Sequence, residues 1–138
     1  METFTTAKHF ECNDFLPITS LDKLKLFDSY IRTRTNFKAE FMEYLLTLGG
    51  KDVLSVIKAM VAETYDLQLQ RLINWTGKGG KHEMSKSSSA ACIIECTMFS
   101  NNSTRFETEA MFKYHLQHSS DRVRSLIAKS CKAKADSS

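Results

Sequence analysis

The residues best suited to chemistry crowd into one stretch, WTGKGGKHEMSK at 75–86. It holds the only tryptophan, three of the five glycines and three lysines. Glycine removes side-chain bulk so that backbone N–H groups reach a phosphate, and lysine brings positive charge to the same place. In this reading Lys78, Lys81 and Lys86 contact phosphate, Gly79 and Gly80 allow close backbone approach, and Trp75 and Gly77 shape the loop. Arg71, one helical turn before Trp75, adds to the same charge. A plain turn between helices accounts for Trp75 as a lid on the core and for the glycines as positive-φ residues. It does not account for the lysines. The loop is not a Walker A site, which needs G-x-x-x-x-G-K-[ST] after a strand. Here His82 follows Gly80-Lys81, and a helix is predicted upstream.

Two other constellations compete. Cys92 and Cys96 at i, i+4 with His115 and His118 at i, i+3 supply four zinc-ligand types, but their spacing departs from the finger pattern. Helix-borne cysteines of this kind read more simply as small buried residues, and His118 as a complement to a helix C-terminus. Arg122 and Arg124, with Lys129, Lys132 and Lys134, face only Asp121 and Asp136. Such a run is a solvated helix face, or an extension of the basic loop where the two lie side by side. No G-x-S-x-G or HExxH pattern is present, no base and orienting partner accompany a nucleophile, and no cofactor motif appears.

The elements that must position these residues are helices. One proline and five glycines leave little punctuation. Thr19-Ser20-Leu21-Asp22 opens a first helix, carrying Leu21, Leu24, Phe27 (or Asp28), Tyr30 and Ile31. Thr35 or Asn36 caps a second, with Phe37, Phe41, Tyr44, Leu45 and Leu48 on its apolar face. Gly49-Gly50 ends it through the left-handed conformation that glycine accepts. Val53, Leu54, Ile57, Met60 and Val61 mark a third helix, and Asp66 caps a short fourth with Leu69, Leu72 and Ile73. Beyond the loop, Ala90, Ile93, Ile94, Thr97 and Met98 favour a helix, although Cys92-Ile93-Ile94 also suits a strand. Ser100–Ser103 breaks it. Thr104-Arg105-Phe106-Glu107 is a capping box for a helix through Phe112 and Leu116, and Ser119 or Ser120 caps a last one with Val123, Leu126 and Ile127 inward. The expected architecture is a compact all-α bundle of roughly five to seven helices. It comprises an irregular arm over 1–18, one domain over 19–130 and a frayed tail over 131–138.

Composition sets the bounds. A chain of 138 residues, 42% hydrophobic and 25% charged, suffices for one globular core without staples. No apolar run is long enough for a membrane span, and the N-terminus does not read as a secretory signal. Cys12, Cys92, Cys96 and Cys131 form no dense framework, which points to reduced thiols inside the cell. The net charge of +3 is uneven, at −1 over residues 1–48 and +4 over 49–138, where the glycine loop lies.

Phe15-Leu16-Pro17-Ile18, then Tyr44-Leu45-Leu46 with Gly49-Gly50-Lys51, then Asn74-Trp75-Thr76-Gly77-Lys78-Gly79-Gly80-Lys81 and Ile93-Ile94, together resemble the Domain of Unknown Function 4806 family. That family is known chiefly from insect proteins, and the likeness spans roughly residues 15–100. It supplies no activity or catalytic residue to carry over. In outline, Leu67–Ile73, the loop Gly77–Lys86 and the helix from Ala90 are also similar to BEN domains, helical modules of chromatin and transcription factors that bind DNA. Trp75 and the run Ser87–Ser89 depart from the BEN pattern. These readings converge on a non-enzymatic nuclear module that binds nucleic acid, DNA ahead of RNA. The alternative is a protein–protein adaptor or homo-oligomer whose loop is purely structural, presenting the aromatic arm and the Phe37/Phe41/Tyr44 face.

Overall fold

The computed structural model describes residues 11–118. The expected last helix with Arg122 and Arg124, the tail, and Phe4 and Phe10 of the arm lie outside the described residues. Within them the protein is a compact all-α bundle of six helices. These are α1 (Leu21–Thr33), α2 (Thr35–Leu46), α3 (Val53–Thr64), α4 (Leu67–Gln70), α5 (Ser88–Asn101) and α6 (Arg105–Gln117). Two-residue strands β1 (Ile73–Asn74) and β2 (His82–Glu83) pair between α4 and α5. None of these helices is long and apolar enough to cross a membrane.

Side-chain caps start most of the helices. Ser20 Oγ accepts from Lys23 N at 3.2 Å, Asp52 Oδ1 from Ser55 N at 2.8 Å and Asp66 Oδ1 from Leu69 N at 2.8 Å. Thr104 and Glu107 close the expected capping box. Each satisfies an amide that the first helical turn leaves without a partner. Helix α2 differs from expectation: Arg34 occupies its cap position, and its side chain makes no capping hydrogen bond. The Arg34 guanidinium lies instead 3.8 Å from the centre of the Tyr30 ring.

The core gathers around α5, which packs against α1, α2, α3 and α6. Its small and branched residues are buried on several faces, among them Ala90, Cys92, Ile93, Ile94, Cys96 and Thr97. A helix covered on most of its sides needs little polar stripe, and the Cys-Ile-Ile stretch is helical here. Thr97 Oγ1 returns its proton to Ile93 O at 2.8 Å, which lets a hydroxyl sit in that core.

An aromatic cluster ties α1 to α2. Phe27 stands edge-on to Phe37 and Phe41 at 5.0 and 4.9 Å between ring centres. Phe15 joins it at 5.6 Å from Phe27, and Cys12 and Ile18 are fully buried. Ile18 N donates to Thr64 O at 2.7 Å, and Ile18 O accepts from Asp66 N at 3.0 Å. The described part of the expected arm is therefore packed chain, and packing begins before residue 19.

Three local expectations are corrected. Gly49 and Gly50 do not adopt a left-handed conformation, since the positive-φ glycines are Gly77, Gly79 and Gly80. Gly50 is required for closeness: a Cβ there would stand 2.7 Å from Val56 N in the first turn of α3. Helix α4 stops at Gln70, leaving Leu72 exposed and placing Ile73 in β1. Ser100 and Asn101 belong to α5, which is capped by Asn102 in the left-handed region with φ 51°, a conformation asparagine tolerates.

Candidate nucleic-acid interface

The loop after α4 is held by its own backbone and by Asn74. Strands β1 and β2 run parallel, with Ile73 opposite His82 and Asn74 opposite Glu83. Asn74 Oδ1 accepts from Gly77 N at 2.6 Å, and its Nδ2 donates to Lys78 O at 3.0 Å. Both ends of one carboxamide thus clamp the turn. Gly77 has φ 82°, and a Cβ there would also crowd Glu83 Cβ at 3.2 Å. At Gly79 and Gly80, by contrast, nothing lies within 4 Å of where a Cβ would be. Their outer side is open to a ligand.

Trp75 is half-buried and stands edge-on to Phe112 of α6, 5.8 Å between ring centres. That contact docks the loop on a helix distant in sequence and brings Lys113 with it. Lys113 Nζ lies 5.6 Å from the centre of the indole ring, within cation–π range. Lys78, Lys81 and Lys113 line a concavity of about 450 Å³ together with Trp75, Thr76 and Gln117. Among the described residues no Asp or Glu lines it. Three ammonium groups lining one open hollow make its potential more favourable to an anion than to a cation.

Arg122 and Arg124 lie outside the described residues, and two of the described residues expected at this site, Arg71 and Lys86, do not line the hollow. Arg71 is exposed at the end of α4 and lines neither this hollow nor the next. Lys86 borders a second hollow, of about 310 Å³, with Lys25, Arg32 and His82, and its Nζ is 3.9 Å from Glu83. Lys113 carries no signal in the sequence, because tertiary packing of α6 on β1 and Trp75, far apart in the chain, brings it to the loop.

The serine run also has a role that its composition hides. Ser87 caps α5 and donates to Asp28 Oδ2 at 2.9 Å, and Ser89 N donates to Asp28 Oδ1 at 2.9 Å. Ser89 Oγ lies 3.0 Å from Ser87 Oγ and 2.7 Å from the Tyr65 hydroxyl. With the carboxylate accepting at one end, the protons run in one direction, from Tyr65 to Ser89 to Ser87 to Asp28. Burial, and then the Asp28 charge, push the Tyr65 hydroxyl well above its ordinary range, so it stays a neutral donor. Asp28 thus caps α5 from another helix and fixes the C-terminal end of the lysine loop.

Cys92 and Cys96 sit on α5 inside the core. Burial pushes the Cys92 thiol up to about 12 and the Cys96 thiol up to about 11, which keeps both protonated and unreactive near neutrality. His115 is buried on α6, and among the described residues no three of the His, Cys, Asp and Glu side chains group to hold a metal. Compared with protein-family profiles, characterised proteins and solved structures, the chain matches none.

Proposed function

We propose that this protein is a non-enzymatic nuclear module that binds nucleic acid through phosphate, DNA ahead of RNA. The reading is carried by the hollow where Lys78 and Lys81 of the loop meet Lys113 of α6 beside Trp75. Phosphate is the anion that a clamped glycine loop with converging lysines suits best, because open backbone at Gly79 and Gly80 admits close approach. Trp75 anchors the loop from behind and does not stack on a base. The likeness in outline to BEN domains supports the same reading.

Anisotropy of labelled duplex DNA over a salt series tests it, with a Lys78→Ala/Lys81→Ala/Lys113→Ala variant alongside wild type. Wild type is expected to bind with a steep salt slope, and the variant to lower that slope by about 0.9 for each phosphate it no longer neutralises. Equal binding by both, or binding by neither, overturns the reading.

The second reading is a protein–protein adaptor. Its expected face fails, since Phe37 and Phe41 are core residues. It is favoured instead by Phe99 and Phe106, which are 80% and 83% exposed. An apolar interface of that kind holds as salt rises, which separates the two readings.

A further inference from the structure

The lysine hollow carries a hydroxyl on its own wall. Thr76 lines it together with Lys78, Lys81 and Lys113, and among the described residues it is the only hydroxyl side chain that does. Thr76 is exposed. Its Oγ1 accepts from Lys78 N at 3.3 Å, which places the hydroxyl oxygen against the first lysine of the loop. That bond is longer than either of those by which Asn74 clamps the same turn, at 2.6 and 3.0 Å. Asn74 therefore holds the turn without help from Thr76, whose hydroxyl stays at the surface of a cationic hollow.

An exposed hydroxyl on a surface loop is open to a modifying enzyme. The backbone beyond it is uncrowded, since nothing lies within 4 Å of where a Cβ would stand at Gly79 or Gly80. A phosphate added to threonine brings about −1.5 to −2 charges near neutrality and three acceptor oxygens. Lysine ammonium groups make charge-assisted hydrogen bonds to such oxygens. A phosphate tethered to the wall of the hollow also meets those lysines at an effective concentration on the order of millimolar. It thus competes with any phosphate that a dilute ligand presents to the same cations.

We propose that Thr76 is a phosphorylation site, and that its phosphate fills the hollow of Lys78, Lys81 and Lys113 and closes it to nucleic acid. The proposal rests on the nucleic-acid reading above and adds its regulation. A serine/threonine kinase supplies the transfer from ATP. Thr76 Oγ1 forms the new bond to the γ-phosphorus, and the bond from that phosphorus to the bridging oxygen breaks. ADP leaves with the bridging electron pair, and the hydroxyl proton passes to the kinase's carboxylate base.

The test compares the full chain as wild type, as Thr76→Glu and with phosphothreonine genetically encoded at position 76. Thr19→Glu is the control, because Thr19 is exposed, does not line the hollow and likewise neighbours a lysine, with Lys23 Nζ at 3.4 Å. In anisotropy with a labelled DNA duplex, phosphothreonine is expected to weaken binding at least about ten-fold, Thr76→Glu about three-fold and Thr19→Glu less than about two-fold. Melting curves at low salt check folding and read occupancy of the hollow. Phosphothreonine is expected to raise the melting temperature, and Lys78→Ala/Lys81→Ala/Lys113→Ala to abolish the rise, because coupled groups are not additive.

Undiminished DNA binding by the phosphothreonine protein overturns the proposal, as does an equal loss in Thr19→Glu or a melting shift that survives removal of the three lysines. The modification itself is read in full chain expressed in cultured eukaryotic cells. Trypsin releases residues 72–78, in which Thr76 is the only hydroxyl side chain. Phosphate on that peptide by mass spectrometry assigns the site, and its absence overturns the assignment. Failure of wild type to bind DNA, with the lysine-dependent melting shift intact, sinks the nucleic-acid reading instead, so the two failures are distinguishable.

Discussion

Asp28 shows how much one side chain can decide. It lies on the face of α1 that the helical period marks as inward, where Phe27 and Asp28 stand as alternatives, and both are buried. A carboxylate is tolerated there because the first turn of α5 offers unpartnered donors and Ser87 adds a hydroxyl. Asp28→Ala leaves the Ser89 amide and the Ser87 hydroxyl buried without an acceptor. The expected cost is about 1–3 kcal/mol per group left unsatisfied, read as a lower denaturation midpoint at unchanged slope in urea. Ser89→Ala in the same background is expected to add less than it costs alone, because the chain from Tyr65 is already cut. Full additivity of the two would show that the hydroxyls do not act as one network. Nothing in the sequence marks this contact, since Asp28 and Ser87 meet only after α1 and α5 pack.

Elements with a local cause were legible, and those with a tertiary cause were not. The caps at Ser20, Asp66 and Thr104 occupy the positions that their side chains predict, because a cap needs only the residues of one turn. The paired strands β1 and β2 carry no period, being two residues each. Gly49-Gly50 reads like a left-handed stop, but neither glycine is left-handed, and Gly50 answers to the approach of α3. The caps also set a pH dependence. Hydrogen bonds from the Ser55 amide, reinforced by its side chain, hold Asp52 below its ordinary 3.8, and those from Thr104 hold Glu107 below its ordinary 4.5. A folded-state value below the unfolded one means that the stabilisation is complete above the unfolded value and lost as pH falls through the folded one. Thermal melts are therefore expected to fall as pH drops below about 4, with a shallower decline in Asp52→Asn and Glu107→Gln. An unchanged acid limb in both variants would remove the caps as its cause.

At the scale of the whole molecule, the lysine hollow exists because Trp75 joins the loop to α6. Lys78 and Lys81 come from one part of the chain and Lys113 from another, and the Trp75–Phe112 edge contact is what brings them together. The candidate site was thus half legible: the loop announces itself by composition, while its third lysine depends on packing. Trp75→Phe keeps an aromatic edge against Phe112 and is expected to cost less than about 1.5 kcal/mol and, under the proposed function, to retain most of the DNA affinity. Trp75→Ala removes the anchor. Because the ring is only half-buried, its cost is expected to be about 2 kcal/mol, below the range for a fully buried aromatic. Affinity should fall with it, since Lys113 loses the ring that orients it and the loop loses its seat on α6. Melting curves and anisotropy on the same two variants separate anchoring from direct contact. An anchor loses stability and affinity together in the alanine variant and recovers both in the phenylalanine one. A base-stacking tryptophan would instead lose affinity at an unchanged melting temperature, and that result would move Trp75 from the support of the site to its surface.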